Sequence, residues 1–206
     1  MFILKGVVKA IISGILVIFI SYIIVVDEIA ISASSINALG YSLNFSAYTN
    51  INITKDYMKV LKGFLEIYSA IGAIIIDLLS NHASEVFSSD ISRGSPTRFM
   101  VASLLPFIMG IIFAGLMADD VSGYIVSAVL TAILSPIIGF AFYTNASIDA
   151  LISAIQFAVI GLAFGFLPGL IFNFISIKSF EKKEKEEEEE GLESDVEIDF
   201  DEEIEI

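Results

Sequence analysis

Cysteine and tryptophan are absent from this sequence, and histidine occurs once, at His82. Without cysteine there is no disulfide framework, no thiolate nucleophile and no cysteine-based metal site. A single histidine excludes HExxH zinc sites and leaves at most one dyad for His-activated nucleophiles. G-x-S-x-G elbows, P-loops and G-x-G-x-x-G turns are also missing. His82 has Glu85 three residues on, too small a donor set for a metal, and reads as an ordinary polar residue. No catalytic, cofactor or metal site is expected, and nucleic acid is not an expected partner.

Charge is scarce until the C-terminus. The net charge of −14 is concentrated in residues 181–206, where 15 acids face 3 lysines; the other 180 residues carry 10 acids against 8 bases. The acidity belongs to a tail, and the body is nearly neutral. Hydrophobic residues make up 56% of the chain despite that tail, above the ~45–50% of soluble domains, and the mean hydropathy of +0.83 points to lipid.

The clearest stretch is residues 121–177, whose only formal charge is Asp149. Each side of it offers 28 uncharged residues, and about 20 suffice to cross a ~30 Å hydrocarbon core. The segment 143–149 (YTNASID) has the polarity of a surface turn. These residues predict a transmembrane helical hairpin, with spans over 121–143 and 150–177.

Toward the N-terminus, residues 99–118 are a further uncharged run of 20. The preceding Ser95-Pro96 reads as an N-cap followed by proline at the first helical position. Residues 1–26 carry Lys5 and Lys9 ahead of 17 uncharged residues (10–26), longer than the apolar core of a cleaved leader. They predict an uncleaved signal anchor.

Residues 29–54 are uncharged but rich in Ser, Asn and Thr, and predict a polar loop or short hairpin. They contain two N-x-S/T patterns, at 44–46 and 52–54. In the segment 55–80, Lys55, Lys59, Lys62, Glu66 and Ser69 recur at steps of 4, 3, 4 and 3, one stripe of a helix. Glu66 and Asp77 are 11 residues apart, about 16 Å along a helix. A spanning placement would pull one carboxylate into lipid at a cost of a few kcal/mol. An amphipathic helix lying on the membrane or packed on the bundle avoids that cost.

These readings give an all-α, multi-pass transmembrane bundle with four spans preferred and five as the rival. Lysines at 178, 182, 183 and 185 place the tail (178–206) in the cytoplasm of a cell membrane by the positive-inside bias. Counting back, both termini are cytoplasmic and residues 27–98 are extracytoplasmic.

Small residues mark the expected functional surface. Gly123, Ser127, Thr131, Ser135 and Gly139 recur every four residues; Gly161, Gly165 and Gly169 do so in the last span; Gly110, Ala114 and Ala118 do so in residues 99–118. Such strips let helix backbones approach closely in lipid. Pro106, Pro136 and Pro168 lie inside apolar segments, and Gln156 and Asn173 are the strongest polar groups of the last span.

The tail begins as a fraying charged helix or as disordered chain. Its end alternates acids with Val196, Ile198 and Phe200, a pattern suited to docking on a basic soluble partner. The expected role is a non-enzymatic subunit or scaffold of a membrane complex. Its partners would be lipid and other membrane subunits or further copies of itself. A small transporter or channel component acting as an oligomer is the alternative.

Overall fold

Helices account for all regular structure in the computed structural model, which describes residues 2–38, 54–142 and 147–197, with side chains over 5–25, 54–142 and 147–179. They are α1 (Phe2–Ala38), α2 (Tyr57–Asn81), α3 (Ala83–Ser88), α4 (Pro96–Met117), α5 (Val121–Phe142) and α6 (Ile148–Glu197). No strand occurs among the described residues. Five of these helices, all but α3, are long and apolar enough to cross a membrane. Their outward faces carry Ile, Val, Leu and Phe in the open, as at Ile133, Ile137, Phe164, Leu167 and Ile175. A molecule solvated by hydrocarbon exposes such a surface, and these are the features of an integral membrane protein.

Helices α1, α4, α6 and α5 form a closed ring of neighbours. Their directions follow from paired contacts. Gly6 and Gly14 of α1 face Val126 and Ser135 of α5, so α1 and α5 run the same way. Gly161, Gly165 and Gly169 of α6 face Phe107, Ile108 and Gly115 of α4, so α4 and α6 share the opposite direction. Lys9 near the start of α1 bonds Asp119 in the α4–α5 turn at 2.9 Å, and Asn173 of α6 donates to Ala118 O at 2.9 Å. The start of α1 and the C-terminal end of the membrane-length part of α6 therefore meet at one end of the ring, the turn end.

The other end is occupied by α2. Phe64 and Leu65 pack on Gly139, three residues before the end of α5, and Gly72 packs on Ser153, five residues into α6. α2 touches all four helices of the ring, and its Phe64 and Tyr68 rings reach Phe107 and Phe157 in the middle of α4 and in α6. The buried face of α2, from Val60 to Leu78, joins one core cluster that reaches from this end to Phe107 and Ala132 in the middle of α4 and α5. The second cluster, around Ile111, Ala118, Tyr124 and Ala128 at the turn end, contains no α2 residue.

The charged stripe faces outward: Lys55, Lys59, Lys62 and Glu66 are exposed on the face turned away from the bundle, and Lys59 pairs with Asp56 at 3.2 Å. By length and apolarity the helix also suits a span. After α2, His82 Nδ1 lies 3.6 Å from Glu85 Oε1. Thr97 ties α3 to the first turn of α4, bonding Val86 O and lying 2.6 Å from Ser89 Oγ.

Local signals set several boundaries. Ser95 Oγ accepts from Arg98 N at 3.2 Å with Pro96 at the first helical position. Ser147 Oγ accepts from Ala150 N at 3.1 Å, which draws Ile148 and Asp149 into α6 rather than leaving them in the turn. Two helices run further than their polarity suggested. α1 continues through Asp27 and Glu28 to Ala38, because neither glycine nor proline interrupts residues 27–38. α6 continues to Glu197, which makes about two thirds of the acidic tail helical. The strand-like pattern at 42–53, the N-x-S pattern at 44–46, Asn52 of the second pattern, and docking residues Ile198 and Phe200 lie outside the described residues.

Candidate functional site

Helix contacts built on small residues dominate the interior. Gly165 lies against the α4 backbone: a methyl there would stand 3.1 Å from Ile108 Cα and 3.2 Å from Ile108 O. Methyls on Gly110 and Gly161 would fall on the side chains of Val17 and Phe107, and one on Gly169 would reach the Tyr124 hydroxyl at 2.5 Å. Ala114 is fully buried beside them. On α5, Ser127, Thr131 and Ser135 are buried and Gly139 receives Phe64 from α2. Gly123 is half-buried in the first turn of α5, where its N–H donates to Asp120 Oδ1 at 2.5 Å. It serves a helix start rather than a helix–helix contact.

Hydroxyls along these faces are turned onto their own helices. Thr131 Oγ1 donates to Ser127 O at 2.7 Å, Ser127 Oγ to Tyr124 O at 3.0 Å, and Ser103 Oγ to Phe99 O at 2.8 Å. Such back-bonding satisfies the hydroxyl in hydrocarbon without a second helix. Ser13 Oγ, Ser135 Oγ and Asn173 Oδ1 are buried with no hydrogen-bond partner.

Asn173 and Gln156 part company. Asn173 is fully buried and its Nδ2 caps the end of α4, donating to Gly115 O at 3.1 Å and Ala118 O at 2.9 Å. Both carbonyls lie at the C-terminal end of α4, where Gly115 O also accepts from Ala118 N at 3.3 Å and Ala118 O lies beyond the helix's own ladder. Gln156 sits exposed on the outside of the ring.

Sequence periodicity alone missed three contributors. Gly6, Ala10 and Gly14 form a fourth strip, on α1, and are buried. Gly115 is the closest approach of α4 to α6, where a methyl would fall on the Gly169 carbonyl; it lies off the four-residue step of Gly110 and Ala114. The third is Tyr68, fully buried, which donates from its hydroxyl to Ser103 O at 3.0 Å and lies 3.1 Å from Ser21 Oγ. Its ring sits 5.0 Å from Phe64 and 5.2 Å from both Phe107 and Phe157, centroid to centroid. One residue of α2 thus joins α1, α4 and α6 on the bundle axis.

At the turn end, Asp119 lies outside the apolar segments. Its carboxyl is held below the usual carboxylate range, first by the hydrogen bond from Lys9. The positive charges of Lys9 and Lys5 add to this, and slight burial opposes it. No group of three or more His, Cys, Asp or Glu side chains suited to a metal occurs among the described residues. No protein-family model, curated protein or solved structure matches this chain, and its functional reading rests on these residues themselves.

Proposed function

We propose that this protein is a non-enzymatic subunit or scaffold of a membrane complex, acting through its helix faces and its acidic tail. The observation that carries the reading is the filled axis. Phe64, Tyr68, Phe107 and Phe157 occupy the centre of the ring with neighbouring centroids 5.0–6.3 Å apart, where a conducting protein needs a lumen lined for its solute. The end bearing Lys5, Lys9 and Lys178 is assigned to the cytoplasm of a cell membrane by the positive-inside bias. That assignment puts α2, α3 and the rest of residues 27–98 outside. The tail then faces soluble partners, and Val196, Ile198 and Phe200 form the docking edge.

Purification from native membranes in mild detergent should yield a stoichiometric partner or a defined self-assembly. Solute or ion flux into proteoliposomes above that of empty vesicles would overturn the reading. The second reading, a transporter or channel component working as an oligomer, draws on one observation: the unpartnered buried oxygens of Ser13, Ser135 and Asn173. The same flux assay decides it.

A further inference from the structure

A groove of about 480 Å³ opens at the turn end between α1 and the α4–α5 turn, lined by Lys5, Val8, Lys9, Ile12, Met117 and Asp119. Its size falls in the ~300–1,000 Å³ range of small-molecule clefts. Along α1 the lining runs from Lys5 at the exposed rim through Val8 and Lys9 to Ile12, about 10 Å deeper than Lys5. Val8 and Ile12 remain 49% and 45% exposed, so none of the described side chains covers the apolar part. We propose that the groove holds one anionic phospholipid, with its phosphodiester against Lys5 and Lys9 and an acyl chain along Val8, Ile12 and Met117.

Charge selects the occupant. Among the lining side chains two ammonium groups face one carboxylate, and the neighbouring Asp120 is turned onto Gly123 N at the start of α5, so the groove itself presents one unmatched positive charge to a phosphodiester. Lys9 gives one hydrogen bond to Asp119, and an ammonium has three donors, so the pair does not exhaust it. The passage from Lys5 at the rim to Ile12 over about 10 Å follows that of a lipid from headgroup to chain. A zwitterionic lipid brings no net charge to this site. Free phosphate has no use for the trench. The inference stands apart from the proposed scaffold role, because a transporter subunit with the same groove would hold the same lipid.

The test uses the full chain in detergent, titrated with dioleoylphosphatidylglycerol or dioleoylphosphatidylcholine and read by native mass spectrometry and thermal shift. The wild type should retain one phosphatidylglycerol in preference to phosphatidylcholine. Lys5→Gln should lower that retention roughly fivefold, the effect of one lysine near an anionic headgroup, and Lys5→Arg should restore it. Val8→Phe fills the trench at an exposed position and should expel the lipid with the lysines intact. Equal retention of both lipids, or an unaffected Lys5→Gln, would overturn the proposal. Unchanged retention in Val8→Phe would do so too, leaving only a phosphate-binding lysine pair.

Discussion

At Gly165 the nearest atoms to an added methyl belong to the backbone of another helix, Ile108 Cα and O at 3.1 and 3.2 Å. Backbone cannot rotate aside as a side chain can, so Gly165→Leu must push α6 away from α4. Extra apolar area brings no compensating gain in lipid, and overpacking costs about 1–3 kcal/mol. Leu162→Ala, at a half-buried position beside both core clusters, should cost less. Thermal unfolding in detergent tests the order: a Gly165→Leu variant as stable as wild type would mean that the strip does not hold the helices together. Tyr68→Phe keeps the aromatic cluster but removes the hydroxyl contacts to Ser103 O and Ser21 Oγ. A loss of about 0.5–1.5 kcal/mol is expected, with Tyr68→Ala well beyond it because the ring leaves a cavity. For Asp119 the sign follows from its depressed pKa. The Lys9 pair contributes stability above the unfolded carboxyl pKa of about 4 and loses it as pH falls through the folded value. Melting curves of wild type and Asp119→Asn should differ slightly at neutral pH, since an exposed pair is worth about 0–1 kcal/mol. They should converge in acid, where the tail carboxylates titrate equally in both proteins.

A helix that crosses the end of a bundle and one that spans the membrane differ in where their two ends emerge. Lys59 and Ser80, both exposed, are about 31 Å apart along α2. If α2 spanned, they would lie on opposite faces of the membrane. Laid across the end of the ring, they share one face, together with Ser88 on α3. The chain has no cysteine, so Lys59→Cys, Ser80→Cys, Ser88→Cys and Ser179→Cys each give a single site for an impermeant maleimide on intact cells. Lys59, Ser80 and Ser88 should label alike, and Ser179 should behave oppositely; discordant labelling of Lys59 and Ser80 would establish α2 as a fifth span. Much of the element plan was legible in the sequence, because uncharged runs of 20–28 residues admit few alternatives to a helix in lipid. The Ser95-Pro96 start was legible for the same kind of local reason. The placement of α2 was not readable from length, since 25 apolar-rich residues suit both placements. The spacing of its charges marked one outward face, which the structure leaves exposed. The end of α1 was misjudged because serine and asparagine after Glu28 suggested a loop, whereas neither glycine nor proline interrupts residues 27–38. Gly115 escaped the four-residue rule because that rule follows a single helix face, whereas two crossing helices also touch at positions beside it.

For the whole molecule, the division lies between a membrane-length body and the helix that leaves it. Ser176 Oγ still donates to Leu116 O of α4 at 3.1 Å, yet α6 continues to Glu197, about 30 Å further. That extension carries the tail's mixed Lys/Glu start, including Glu181 four residues before Lys185, spacing that supports an isolated helix by a few tenths of a kcal/mol per pair. Residues 181–206 hold 15 acids in 26 positions, with too few apolar groups to offset the entropy of packing them on anything. Deleting them should therefore leave the body inserted, with an unchanged melting transition in detergent; failure to insert would make the tail part of the fold. Docking separates from mere solubilisation by chemistry. If a basic partner reads the apolar edge, replacing Val196, Ile198 and Phe200 together with serine abolishes its co-purification while the charge stays the same. Changing Glu186–Glu190 to glutamine weakens capture chiefly at low salt, because exposed charges are screened beyond about 8 Å at physiological ionic strength. A tail that only repels its surroundings gives the reverse pattern, with the triple serine variant silent and the glutamine variant prone to aggregate.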